Sequence, residues 1–168
     1  MKRGVPPPWH SFDLSPPWLA PYRAQAERVV ASIRRGARVA QALNDELPTD
    51  EPIRLAAGRL RFADASVLPA GRAYESHIAT TATVPTRENR HDLFNGLVWL
   101  RWPALKQRLN EMQAGEISRR GVGAVRGPLR DALTLFDENG ALLMAPAPLV
   151  DALRQRDWQR LFIAHRDE

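Results

Sequence analysis

The chain has 168 residues, no cysteine, 44% hydrophobic and 26% charged side chains, and a formal net charge of +5. Disulfides, thiolate metal sites and a cysteine nucleophile are therefore excluded, and the composition is that of a folded domain large enough to build a core without staples. No apolar run approaches the ~20 residues that span a bilayer, and the basic start Met1-Lys2-Arg3 meets Pro6-Pro7-Pro8 where a signal peptide needs an apolar stretch. The expectation is a soluble, cytoplasmic protein with no membrane partner.

Residues 1–21 hold two Pro-Pro-Trp units, ending at Trp9 and Trp18, and read as an extended arm whose tryptophans pack on the body. A proline-rich ligand for a partner's aromatic groove is the alternative. Residues 22–168 read as a single globular domain. From Tyr22 to about Leu47 apolar residues recur at helical spacing, and Gly36 is expected to divide the run into two helices. Pro48 to Pro52 is a loop, Arg59 to Ala63 alternates like a strand, and Leu68 to Gly71 is a turn. Tyr74 to Thr83 is ambiguous between helix and strand, its threonines leaning to strand, and Pro85 closes it.

Asn89 is placed to cap a helix beginning at Arg90. Pro103 should kink that helix or start a second one running to about Gln113. Gly121 to Gly127 reads as a loop. Asn139-Gly140 between the apolar runs 132–136 and 141–144 signals a small antiparallel β-hairpin over about 132–144. Leu149 to about Phe162 is a last helix. The fold class expected is α+β, mainly helical, with several helices and that one hairpin.

Charge is concentrated in one window. Residues 86–130 hold nine bases and four acids, an excess equal to that of the whole chain. Only two of the chain's 24 bases are lysine. Arginine's planar fork suits phosphate and carboxylate, so the window is a candidate anion-binding surface, against the plainer explanation of an arginine-favouring genome.

The central helix carries the densest chemistry. His91, Asn95 and Trp99 fall near one line, while Leu93, Phe94, Leu97 and Val98 form the expected core face. Beyond Pro103, Leu105, Leu109 and Met112 make an apolar stripe beside the polar Lys106, Asn110 and Gln113. Asp92 falls at the third helical position, where a carboxylate favours the helix dipole by itself. The candidate catalytic residues are His91, Asp92 and Glu75, and the candidate anion- or substrate-binding residues are Arg87, Asn95, Lys106 and Asn110. Glu75 and Asp92 are also the candidate ligands for a single divalent metal ion. With four histidines in the chain, a multi-histidine metal centre is not expected. A nuclease site using His77, an asparagine and His91 is a further alternative.

The residues Tyr74-Glu75, Val84-Pro85-Thr86-Arg87, His91-Asp92-Leu93-Phe94-Asn95-Gly96-Leu97-Val98-Trp99, Pro103, Lys106, Leu109-Asn110 and Arg130 to Asp137 resemble the bacterial family known as domain of unknown function 3025. The resemblance runs from about Arg38 to Phe162 and rests chiefly on the His-Asp-x-Phe-Asn-x-Leu-Val-Trp run. It implies a bacterial origin and marks Tyr74, Glu75, Thr86, Arg87, His91, Asp92, Asn95, Lys106 and Asn110 as motif positions, without supplying an activity. His77 is not part of the pattern. Gly96 stands where alanine is usual, Arg101-Trp102 precedes the proline in place of a more apolar approach, and family members usually continue past this chain's end with another histidine-bearing segment.

Three readings follow. The first is a phosphate- or nucleic-acid-handling hydrolase, metal-assisted or not, with His91 as general base. The second is a non-catalytic module binding a polyanion through the basic window. The third is a structural network in which Tyr74, Glu75, Arg87 and Asp92 lock the central helix.

Overall fold

A computed structural model describes residues 12–121, 127–141 and 143–167. By internal contacts the chain divides into two units, Met1–Arg130 and Asp131–Glu168. The architecture is mainly helical α+β.

In the first unit, a 3-10 turn at Pro17–Tyr22 leads into α1, Arg23–Arg34. Ala26, Val29, Val30 and Ile33 recur at helical spacing, and these are its buried residues. Gly36, at φ 104°, ends the run where the sequence places a break. Helix α2, Val39–Asn44, follows and buries Val39, Ala40, Ala42 and Leu43. Trp18 is 73% exposed, contrary to expectation, while Phe12 and Leu14, among the described residues, pack on the core. Trp9 lies outside the described residues.

Strands β1, Arg54–Leu55, and β2, Gly58–Arg59, form a short antiparallel pair around Ala56-Ala57. Strand β3, Arg61–Asp64, pairs in parallel with β4, Thr83–Thr86. Parallel strands need a crossover. Here it holds a 3-10 turn at Ala65–Val67 and α3, Tyr74–Thr81. The ambiguous segment thus resolves as helix up to Thr81 and strand after it. Ala82, left-handed at φ 51°, makes the change of direction. Pro85 does not close the segment. It sits inside β4, paired with Ala63, and a two-stranded pair leaves each strand an unpaired edge that tolerates the missing N–H.

Helix α4, Arg90–Arg101, starts at the Asn89 cap, and α5, Pro103–Arg120, starts at Pro103. The chain bends between them at Trp102 (φ −129°, ψ 56°). Leu93 and Leu97 of α4 join Val29, Leu43, Phe62, Ile78, Val84 and Trp99 in one core. Helix α5 runs past Gln113 because Ile117 is still a buried position, and it stops at Gly121, φ 73°.

The hairpin expected at 132–144 is not there. Helix α6 occupies Pro128–Asn139. Proline at the first helical position, with Leu129, Leu133 and Phe136 at helical spacing, outweighs local strand propensity. Asn139-Gly140 serves as a helix stop, the Gly140 N–H donating to the Phe136 carbonyl at 2.8 Å. Residues 141 and 143–146 form no strand, and the antiparallel pair of this fold is β1–β2 instead. In the second unit, α7 covers Ala147–Gln155 and ends at the left-handed Arg156, φ 57°. A π-helical turn, Arg160–Ala164, replaces the continuous helix expected to Phe162. Of the Gly121–Gly127 loop, residues 122–126 lie outside the described residues.

Candidate functional site

The start of α4 is built by reciprocal capping. The Asn89 side chain accepts the Asp92 N–H at 2.8 Å. The Asp92 carboxylate reaches back to the Arg87 N–H at 2.7 Å, so two backbone donors of the helix entry are satisfied across one turn. Arg87 then closes on the same carboxylate from outside, Nε to Oδ2 at 3.0 Å and Nη2 to Oδ1 at 2.9 Å. His91 Nδ1 stands 2.9 Å from Asp92 Oδ1.

The burial of these groups is uneven. The Asp92 side chain is 8% exposed, whereas those of Arg87 and His91 are 64% and 68% exposed. Burial, the largest single influence on Asp92, pushes its pKa up. The hydrogen bonds from Arg87 and His91 and the Arg87 charge together outweigh it and hold the carboxyl below its ordinary value. The hydrogen bond and charge of Asp92 in turn raise the already high pKa of Arg87. An ionised carboxylate only accepts, so His91 Nδ1 carries the proton in this contact. In the neutral ring Nε2 is then the lone-pair nitrogen on an exposed side chain.

The other expected site residues go elsewhere. Asn95 donates to the Tyr74 hydroxyl at 3.0 Å, and Asn110 donates to the Glu75 backbone carbonyl at 2.9 Å. Helices α4 and α5 thus clasp the first turn of α3 from two sides. The Glu75 carboxylate lies 4.0 Å from Arg130 Nη2, and no contact joins it to His91 or Asp92. Lys106 is buried, its ammonium 5.8 Å from the centroid of the Trp99 ring. On α5 the expected apolar stripe holds at the buried Leu109, but the polar row beside it is buried too. Lys106, Asn110 and Gln113 are buried, while Leu105 and Met112 are only half-buried. The candidate residues therefore fall into an exposed cluster, Arg87 and His91 around the buried Asp92, and a buried layer of Lys106, Asn110, Gln113 and Arg130 beside the half-buried Glu75.

Among the described residues no group of three or more His, Asp or Glu side chains is placed to hold a metal ion. Both Asp92 oxygens are already occupied by Arg87 and His91. His77 is buried in α3, with neither ring nitrogen hydrogen-bonded.

The basic window is spent largely on local partners. Arg87, Arg108, Arg119 and Arg120 pair with Asp92, Glu111 and Glu116. Lys106 and Arg130 are buried, and Arg90 and Arg101 lie over the rings of Phe12 and Trp102. Arg126 is outside the described residues.

Some structural residues left no signal in the sequence. Asn44, at the end of α2, exchanges two 2.8 Å hydrogen bonds with the Phe62 backbone and acts as an extra neighbour to β3. Glu88 accepts the Val39 N–H at 3.2 Å and so caps α2 from the α4 side. Local spacing cannot reveal either, because the partners are 18 and 49 residues apart.

A sequence model of the family described as "Protein of unknown function (DUF3025)" matches residues 60–168. The chain belongs to this family. The match spans Tyr74, Glu75, Arg87, His91, Asp92, Asn95, Lys106 and Asn110, so both the exposed cluster and the buried layer lie within the DUF3025 region, whereas α1, α2 and Asn44 precede it. No curated protein and no solved structure matches the chain.

Proposed function

We propose that the protein handles a phosphate-containing substrate at the start of α4, with His91 as general base and Asp92 as the group that orients it. One observation carries this reading: an exposed histidine is tied through Nδ1 to a buried, ionised carboxylate that is itself held by Arg87. That arrangement fixes the ring and points the basic character to Nε2. Nε2 would take a proton from water as its oxygen attacks phosphorus. The imidazolium would return that proton to the alkoxide as the phosphate ester bond breaks. The positive helix end and Arg87 supply a field suited to an anion. The Nε and Nη2 donors of Arg87 are committed to Asp92, leaving Nη1 for a ligand.

The structural reading also has its own observation. Asp92 receives four hydrogen bonds while 8% exposed, and that alone would lock the turn before α4. The two readings part at His91, whose exposed side chain contributes little to packing. The test follows the 15N resonances of the His91 imidazole during a titration with phenyl phosphate. The proposal expects a saturable shift, lost in Arg87→Ala, and expects His91→Gln to leave the melting temperature unchanged. No shift at millimolar ligand, with His91→Gln lowering the melting temperature, would favour the lock.

A further inference from the structure

Tyr74 opens α3 and is half-buried, packed against the core of the first unit. Its hydroxyl accepts a hydrogen bond from the Asn95 amide at 3.0 Å. Asn95 lies on α4 four positions after His91, and side chains at that spacing share one face of a helix. The bond therefore fastens the phenol to the side of α4 that carries His91. A second relation points the same way. Asp92 does most to raise the pKa of Arg87, and Tyr74 adds a smaller contribution in the same direction, so the phenol lies within electrostatic reach of the guanidinium.

A phosphoryl group presents several non-bridging oxygens, and Nη1 of Arg87 can address one of them while Nε and Nη2 stay on Asp92. A neutral donor beside it adds a hydrogen bond without adding charge next to the Arg87–Asp92 pair. A phenol can accept from an amide and donate its own hydrogen at the same time, and the accepted bond polarises the O–H into a stronger donor. Packing holds the Tyr74 ring and Asn95 holds its hydroxyl, so little freedom is left to lose when a ligand binds. The plainer role is a clasp that pins α3 to α4. A clasp leaves ligand affinity of the folded protein untouched when the hydroxyl is removed, whereas a donor does not.

We propose that Tyr74 is a substrate-binding residue whose hydroxyl, aimed by the positioning residue Asn95, donates to a non-bridging oxygen of the phosphate that Arg87 and His91 address. This rests on the phosphate reading of His91. It is tested on the full chain by titrating phenyl phosphate and following the 15N resonances of the His91 imidazole in wild type and variants. Tyr74→Phe keeps the ring and removes the oxygen. It should raise the dissociation constant about tenfold, with the His91 resonances of the ligand-free protein unchanged. Asn95→Ala, which leaves Tyr74 in place, reads the same site through a second change and should raise the constant by a smaller factor. The double variant should bind no more weakly than Tyr74→Phe alone, because Asn95 acts through the hydroxyl. Circular dichroism of each variant checks that the fold is retained. An unchanged constant in Tyr74→Phe, with wild type binding, overturns the inference and leaves the role of His91 standing. A double variant weakened by the product of the two single effects overturns the role given to Asn95. Wild type that does not bind phenyl phosphate overturns both the phosphate reading and this inference.

Discussion

Removing the Asp92 carboxylate perturbs more contacts at once than any other single change at the start of α4. Asp92→Ala leaves the Arg87 N–H without its acceptor, frees the Arg87 guanidinium, releases His91, and takes a negative charge from the third position of the helix. The ion pair itself counts for little, because the Arg87 side chain is 64% exposed and screened, about 0–1 kcal/mol. The charge-assisted bond to the half-buried backbone N–H is worth about 1.5–3 kcal/mol, and the helix-end charge about 0.3–1 kcal/mol. Relief of the Asp92 desolvation cost offsets part of this. The expected net loss is about 2–3 kcal/mol, a fall in Tm of roughly 5–10 °C for a chain of this size. Asp92→Asn, which keeps the shape and one acceptor, should lose about half as much. The loss should also depend on pH. The folded-state pKa of Asp92 lies below its unfolded value of about 3.9, so its stabilisation is complete above that value and disappears as pH falls through the folded pKa. Urea denaturation of wild type and Asp92→Asn from pH 7 to pH 3 reads this directly. A gap under about 0.5 kcal/mol at pH 7, or one that does not narrow on acidification, would refute the argument.

Gly96→Ala should reveal the close approach of α2 to α4, because a Cβ there would meet Leu43 Cδ1 and lie 2.8 Å from Leu43 Cδ2. Overpacking of about 1–3 kcal/mol is partly offset by a gain of about 1 kcal/mol in helix propensity. The double variant Gly96→Ala/Leu43→Ala should be more stable in chemical denaturation than the two single effects added together. Asn44→Ala should cost about 2 kcal/mol, since it leaves the Phe62 N–H and carbonyl without their partner, and amide exchange at Phe62 should accelerate. For His77, burial first and then the charges of Arg72 and Arg61 hold the pKa below 6.5. The stability tied to its neutral form is therefore present above about pH 6.5 and falls as pH drops towards the folded-state pKa. His77→Leu should remove that acid-side slope in denaturation curves between pH 7 and 5.

Local signals with one strong cause were readable in the sequence. Gly36 was expected to break the first helical run, Asn89 to cap a helix starting at Arg90, and Pro103 to kink that helix or open another, of which it does the second. The Asp92–His91 contact was half legible, because adjacency in sequence places the two residues together but says nothing of which is buried. Signals with two meanings misled. Asn139-Gly140 ends a helix as readily as it turns a hairpin, and only the longer helical spacing from Pro128 decides between them. Pro85 signals a strand's end in a central position but not in a pair with free edges.

The buried layer was misread for a further reason. Spacing separated the polar Lys106, Asn110 and Gln113 from the apolar stripe of Leu105, Leu109 and Met112, yet α5 buries the polar row together with Leu109. There Asn110 binds the Glu75 backbone and Lys106 lies over Trp99, so tertiary partners set the face that residue type alone could not. Glu75, grouped with His91 as a candidate catalytic residue, instead has its carboxylate 4.0 Å from Arg130 Nη2, a partner 55 positions away that local spacing does not reveal.

The central claim is that His91, held by Asp92, works on phosphate. Turnover of aryl phosphate mono- and diesters by wild type, His91→Gln and Asp92→Asn at pH 7.5 tests it most directly. The account predicts measurable hydrolysis in wild type, its loss by at least a hundredfold in His91→Gln with the melting temperature unchanged, and an intermediate loss in Asp92→Asn. Equal rates in wild type and His91→Gln, or no hydrolysis of any ester by wild type, would contradict it.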